Sequence, residues 1–201
     1  MVIHIMGSRR RIGVRVMPYD TRKLKCCGKD VLISDEVVIR YPELVSIGDH
    51  VAIDSFVHIS TALDVGSYVH VGPMVSIIGG KQAKLVMRDF TGIAAGCRII
   101  CSSDDFLGTG LTNPMVPDAY HADVYVTTIV MEKHSLLGTN CVVHPSVRIS
   151  EGAAVGNCSV VKGDLDPWTI YSGNPAAAIG PRSKKRILKL EAKLWAELPE
   201  N

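Results

Sequence analysis

An aliphatic residue recurs at every sixth position over most of this chain, and that period constrains the fold more than any other feature. It runs through Ile47, Ile53, Ile59, Val65, Val71 and Ile77, then Met87, Ile93 and Ile99. After a break it returns as Met131, Leu137, Val143, Ile149, Val155 and Val161, and an earlier stretch supplies Cys27, Ile33 and Ile39. The next residue is often glycine, at Gly28, Gly48, Gly66, Gly72, Gly138 and Gly156, where a turn between short strands would tolerate positive φ. The residue two places before each aliphatic is small or apolar, as at Val51, Val57, Val69, Val75, Cys97, Cys141, Ala153 and Ser159. Two inward positions in every six describe a triangular prism in which three short strands close one turn, and each turn stacks on the next at roughly 4.8 Å. The eighteen aliphatics above, three to a turn, predict six coils. A sandwich of alternating strands has period two and does not place glycine at one fixed offset.

Only 5% of the residues are aromatic although 47% are hydrophobic, so Val, Ile, Leu, Ala and Met must fill a thin, regular core. One domain is expected from 201 residues. A net charge of +2 argues against a nucleic-acid binder. The apolar run before Arg9 is too short for a signal peptide, no stretch is long enough to span a membrane, and a cytoplasmic protein is expected. The six cysteines include an adjacent pair, Cys26 and Cys27, and lack zinc-like pair spacing; they read as small buried hydrophobes.

Coils are regular, so function is expected where the period breaks. Two extra residues near Glu43 and Leu44, and four between Gly79 and Val86, are short corner insertions. The third break is long, from about 103 to 128, and reads as an arm covering a ligand and touching a neighbouring subunit. The coil domain is expected over 1–182. A helix over 183–199, with Ile187, Leu188, Leu190, Leu194, Trp195 and Leu198 apolar, is expected to cap the open end, with Ser183 as its N-cap. Lys184, Lys185 and Arg186 stand in its first turn, either as a solvated patch or held by a phosphate-bearing ligand.

With the repeat, the long loop, Gly173-Asn174-Pro175-Ala176 and the terminal helix together, the chain resembles the hexapeptide-repeat acetyltransferases over about residues 24–195. The galactoside and maltose O-acetyltransferases and their surface-polysaccharide relatives are the nearest group. The resemblance implies an all-β, left-handed parallel β-helix, a homotrimer, and acetyl-CoA between two subunits with its pantetheine along the coils. It places Thr139, Asn157 and Lys162 at the cofactor, with Gly138 and Gly156 beside them; the lysine that relatives carry one position after Lys162 is Gly163 here. Their plainer reading is as exposed coil positions.

In galactoside-type relatives a histidine at the start of the long loop takes the proton. This chain has Asp104 there, followed by Asp105. A sugar hydroxyl needs a base before it attacks a thioester, whereas a neutral amine attacks unaided, so the exchange points toward an amino-sugar acceptor. Asp104 could equally orient a histidine from elsewhere, with His134 preferred and His121 second, both expected at the corner that Asp104 occupies. His58 and His70 lack the spacing of a zinc site, and no metal is expected. The loop around Asp104, Thr112-Asn113-Pro114 and Pro117 resembles acyltransferases of surface-polysaccharide (lipopolysaccharide) synthesis. The expected activity is acetyl transfer from acetyl-CoA to a hydroxyl or amino group of a sugar or nucleotide-linked sugar. The alternative is a non-catalytic β-helix serving assembly, which failure to bind CoA would favour.

Overall fold

The computed structural model describes residues 19–197, and the expectations for the first residues and for Leu198 lie outside that range. The chain winds as a parallel β-helix with three faces. The first face stacks Cys27, Ile47, Val65, Met87, Met131 and Ile149, and ends at Leu165 bridged to Ile149. The second stacks Ile33, Ile53, Val71, Ile93, Leu137, Val155 and Tyr171. The third stacks Ile39, Ile59, Ile77, Ile99, Val143 and Val161. Two faces therefore have seven rungs, so the prism makes about seven turns, where the period predicts six. The extra turn begins at Leu165, four residues after Val161 and out of phase with the repeat.

The in-phase aliphatics and the residues two places before them form one continuous core. Each fully buried Val, Ile or Leu contributes about 1.5–3 kcal/mol. Three inward hydroxyls bond to nearby backbone: Thr61 Oγ1 donates to Ala83 O at 2.6 Å, Thr91 Oγ1 to Arg88 O at 2.8 Å and Ser159 Oγ to Gly156 O at 2.7 Å. All six cysteines are free; Cys97, Cys101 and Cys141 are buried as expected, while Cys26 and Cys158 are exposed.

The turn chemistry differs from expectation. Positive φ falls three residues after the in-phase aliphatic, at His50, Phe56, Tyr68, Met74, Phe90, His134, Asn140, Ser146 and Cys158 among others, and not at the glycine directly after it. Those glycines are required by stacking. A Cβ on Gly48 would lie 2.7 Å from Gly66 O, and one on Gly138 would lie 2.8 Å from Val155 O.

The long break is an arm with an ordered stem. It leaves the third face after Ile100, pairs Ser102–Asp104 antiparallel with Val124–Val126, and rejoins the first face at Thr128. Tyr125 and Ser146 join their hydroxyls at 2.7 Å, and the Ser146 N–H donates to Thr127 Oγ1 at 3.0 Å, so the stem is pinned to the next coil. The chain ends in helix α1, Lys184–Glu197. It does not cap the open end. Lys184 stands over Trp168 of the last turn, and Trp195 meets Tyr68 and Phe90 in earlier turns, so α1 runs back along one edge of the prism. Among the described residues no helix is long and apolar enough to cross a membrane.

Candidate active site

The three edges of the prism differ in chemistry. The edge between the first and second faces is aromatic. His50, Tyr68, Phe90 and His134 stack in a column with ring centroids 4.7, 5.0 and 5.0 Å apart. His134 is buried there, with Nε2 2.7 Å from Glu191 Oε2 on α1, and its carbonyl accepts from Arg182 at 2.6 Å. Lys133 also pairs with Glu191. Burial pushes the Glu191 carboxyl up, but hydrogen bonds from Lys133, Trp195 and His134 together outweigh it and hold it down to about 2.

The edge between the second and third faces is built of small residues. Gly72, Ala94, Ala95 and Gly138 follow one another up the stack and line an open groove of about 480 Å³. Gly156 and Asn157 continue the column. The Thr139 N–H donates to Asn157 Oδ1 at 2.9 Å, so part of the Asn157 amide serves to stack one coil on the next. The structure thus brings Gly138, Thr139, Gly156 and Asn157 together. Lys162, exposed, follows Val161 of the third face and stands on the remaining edge.

That remaining edge, between the third and first faces, carries the arm. Asp104 ends the first strand of the stem, opposite Val124, partly exposed. Among the described residues no side-chain partner engages its carboxylate. Asp105 is engaged: it accepts from the Leu107 N–H at 2.7 Å and from the Thr109 N–H and hydroxyl, and the Thr109 hydroxyl followed by the Leu107 amide holds its carboxyl below the usual range. Asp105 is thus committed to the arm's own fold.

The histidines are placed otherwise than expected. His134 does not share the corner of Asp104, because one strand after the arm returns the chain has already reached the aromatic edge. His121 lies in the arm with its ring nitrogens 2.7 Å from Ala122 O and 3.0 Å from Asn113 O, where it holds the arm's own fold. His144, which the sequence reading passed over, stands on the arm edge directly after Val143, and its N–H donates to Val161 O. Its signal was available: it occupies the position that Lys162 holds one turn later. His58 and His70 sit on different faces, His70 2.9 Å from Asp54, and among the described residues no cluster of three metal-ligating side chains occurs.

No family model matches this sequence. Among curated proteins it is 36% identical, over 171 residues, to the dTDP-4-amino-4,6-dideoxy-D-glucose acyltransferase of Escherichia coli, covering 84% of this chain and 87% of that one. The chain belongs to the hexapeptide-repeat sugar acyltransferases. Among solved structures this acyltransferase is similar to AntD, an N-acyltransferase from Bacillus cereus in complex with dTDP and 3-hydroxybutyryl-CoA, with a TM-score of 0.82, 35% identity, and coverage of 87% of this chain and 92% of that one. A hexapeptide-repeat acetyltransferase from Vibrio cholerae shares the fold of this acyltransferase at TM-score 0.53 and 18% identity, over 81% of this chain and 74% of that one.

Proposed function

We propose that this protein is a CoA-dependent N-acyltransferase that transfers an acetyl group from acetyl-CoA to the amine of a nucleotide-linked amino sugar, with a role in surface-polysaccharide synthesis in the cytoplasm. The observation that carries the reading is Asp104: a carboxylate with no side-chain partner among the described residues, at the foot of the arm, in a chain 36% identical to a dTDP-4-amino-4,6-dideoxy-D-glucose acyltransferase. A neutral amine attacks the thioester carbonyl without prior loss of its proton. As the C–N bond forms and the C–S bond breaks, the nitrogen sheds a proton and the thiolate of CoA leaves. Asp104 accepts an N–H from the amine, orients it and receives that proton, with His144 next along the same edge.

The small-residue groove through Gly72, Ala94 and Gly138 fits an extended pantetheine, which needs close backbone approach and little side-chain bulk. Gly138, Thr139, Gly156 and Asn157 would border the cofactor there. Lys162, on the arm edge, would serve a phosphate only where two subunits meet. A homotrimer accounts for that separation, and for an arm whose Phe106, Leu107 and Met115 are about nine-tenths exposed, an apolar surface suited to a neighbouring copy. His134, tied to Glu191 under α1, is left out of the chemistry.

Thiol release from acetyl-CoA, compared between nucleotide sugars bearing an amine and the same sugars bearing a hydroxyl, tests the reading. Turnover confined to the amines is expected. Equal turnover of the hydroxyl sugars would overturn the N-acyl assignment.

A further inference from the structure

The small-residue groove is lined by groups that carry no proton to give, with one exception. Gly72, Ala94 and Gly138 each directly follow an in-phase aliphatic of the second face, and one coil below Gly72 the same position is Asp54, after Ile53. The run of small side chains therefore ends downward at a carboxylate. His70, between Ala52 and Gly92 on the second face, lines the groove, and its Nε2 lies 2.9 Å from Asp54 Oδ2. Among the described residues that line the groove, His70 carries the one polar side chain. Asp54 is the one side chain among the described residues that engages its ring, so Nδ1 is left for a second contact. A pair as exposed as this one adds little to stability, because both groups keep water as an alternative partner. Its effect is on orientation: the carboxylate draws the imidazole to the foot of the groove and settles which nitrogen is offered there.

Height along the prism says which part of the donor reaches that point. With the coil of Cys27, Ile33 and Ile39 as the first, His70 belongs to the third coil and Asn157 and Lys162 to the sixth. Three turns at the stacking repeat are roughly 14 Å, close to the roughly 15 Å that an extended pantetheine spans between its phosphate and its sulfur. The arm leaves the third face after Ile100 of the fourth coil, one turn above His70, where Cys101 N–H donates to Ile78 O. A threefold axis along the prism would keep those heights from one subunit to the next. With its phosphates at the Lys162 end, the donor would then bring its thioester down to His70, within about one turn of a neighbour's arm.

We propose that His70 is the proton donor to the sulfur of CoA, and that Asp54 is the residue that positions it. This rests on the reading of the small-residue groove as the seat of acetyl-CoA. As the amine nitrogen bonds to the carbonyl carbon and the C–S bond breaks, the electron pair stays on sulfur and the Nδ1–H proton of the His70 imidazolium passes to it. The amine's own proton goes to Asp104, and exchange with water resets both groups. Asp104 and His70 thus serve the two ends of one transfer, the acceptor nitrogen and the leaving sulfur.

Isotope labelling of the histidines lets NMR follow His70, whose ring signal is the one missing from His70→Gln. CoA should shift that signal, and desulfo-CoA, which lacks only the thiol, should leave it nearly in place. Equal shifts with the two would overturn the contact to sulfur. In turnover, His70→Gln should lower kcat about 100-fold and Asp54→Asn about tenfold, with KM for acetyl-CoA changed by less than about threefold. Neither variant should lower Tm, since both side chains are about half exposed. A His70→Gln enzyme that keeps the wild-type kcat would also overturn the assignment. The acceptor reading fails separately: a wild-type chain whose His70 signal responds to CoA and not to desulfo-CoA, yet which acetylates no amino sugar, would overturn that reading and support His70. A chain that binds no CoA would overturn both.

Discussion

At Gly138 the next coil passes so close that a methyl group would lie 2.8 Å from both Val155 O and Asn157 N. Backbone on both sides leaves nothing to move aside, so Gly138→Ala should destabilise the fold by about 2 kcal/mol, within the range for overpacking. A lowered Tm in thermal unfolding checks this; an unchanged Tm would mean that the coils separate there at no cost. Asp104 and His134 make opposite predictions. Asp104→Asn should lower kcat about 100-fold with KM for acetyl-CoA unchanged, as for loss of a group that handles a proton in the transition state. His134→Ala should lower Tm and leave kcat within a few-fold. Reversed outcomes would return His134 to the chemistry. Asp104 stood out in the sequence because the start of the long break is visible there. The edge occupied by each histidine was harder to read, since one six-residue strand carries the chain a full face onward and the count restarts after the arm.

Among the elements, α1 depends on one carboxylate. Glu191 titrates near 2 in the folded protein against an ordinary value near 4.5. A depressed carboxyl contributes stability that is complete above the unfolded value and lost as pH falls through the folded one. The contribution should therefore fade between about pH 4.5 and 2. Unfolding measured across that window should show Glu191→Gln losing less stability with acid than the wild type; parallel curves would contradict the assignment. The helix was legible from its apolar spacing, but its docking was not. The partners that fix it, Lys133 and His134, lie more than fifty residues earlier and become neighbours only because the coils bring them to one edge. The arm's stem was illegible for a related reason: Ser102–Asp104 is short and polar and Val124–Val126, though apolar, is only three residues long, and the pinning of Tyr125 to Ser146 stabilises the pair from outside.

For the whole molecule, the period-six pattern specified a prism because burial on three faces leaves inward positions few alternatives to small and aliphatic side chains. It fell one turn short where the last coil starts out of phase at Leu165. The acyltransferase function was legible from the repeat taken with the long break, Gly173-Asn174-Pro175-Ala176 and the terminal helix, and the amine acceptor was suggested by a single exchanged residue, Asp104. Under the proposed function two edges divide the work, a small-residue groove for the acyl donor and an arm edge with Asp104 for the acceptor. The most direct test is to incubate the protein with acetyl-CoA and dTDP-4-amino-4,6-dideoxyglucose and to analyse the nucleotide sugar by mass spectrometry and NMR. One acetyl group on the sugar nitrogen is predicted, with one free CoA thiol released for each. A nucleotide sugar recovered unchanged, or acetylated on oxygen, would contradict the account.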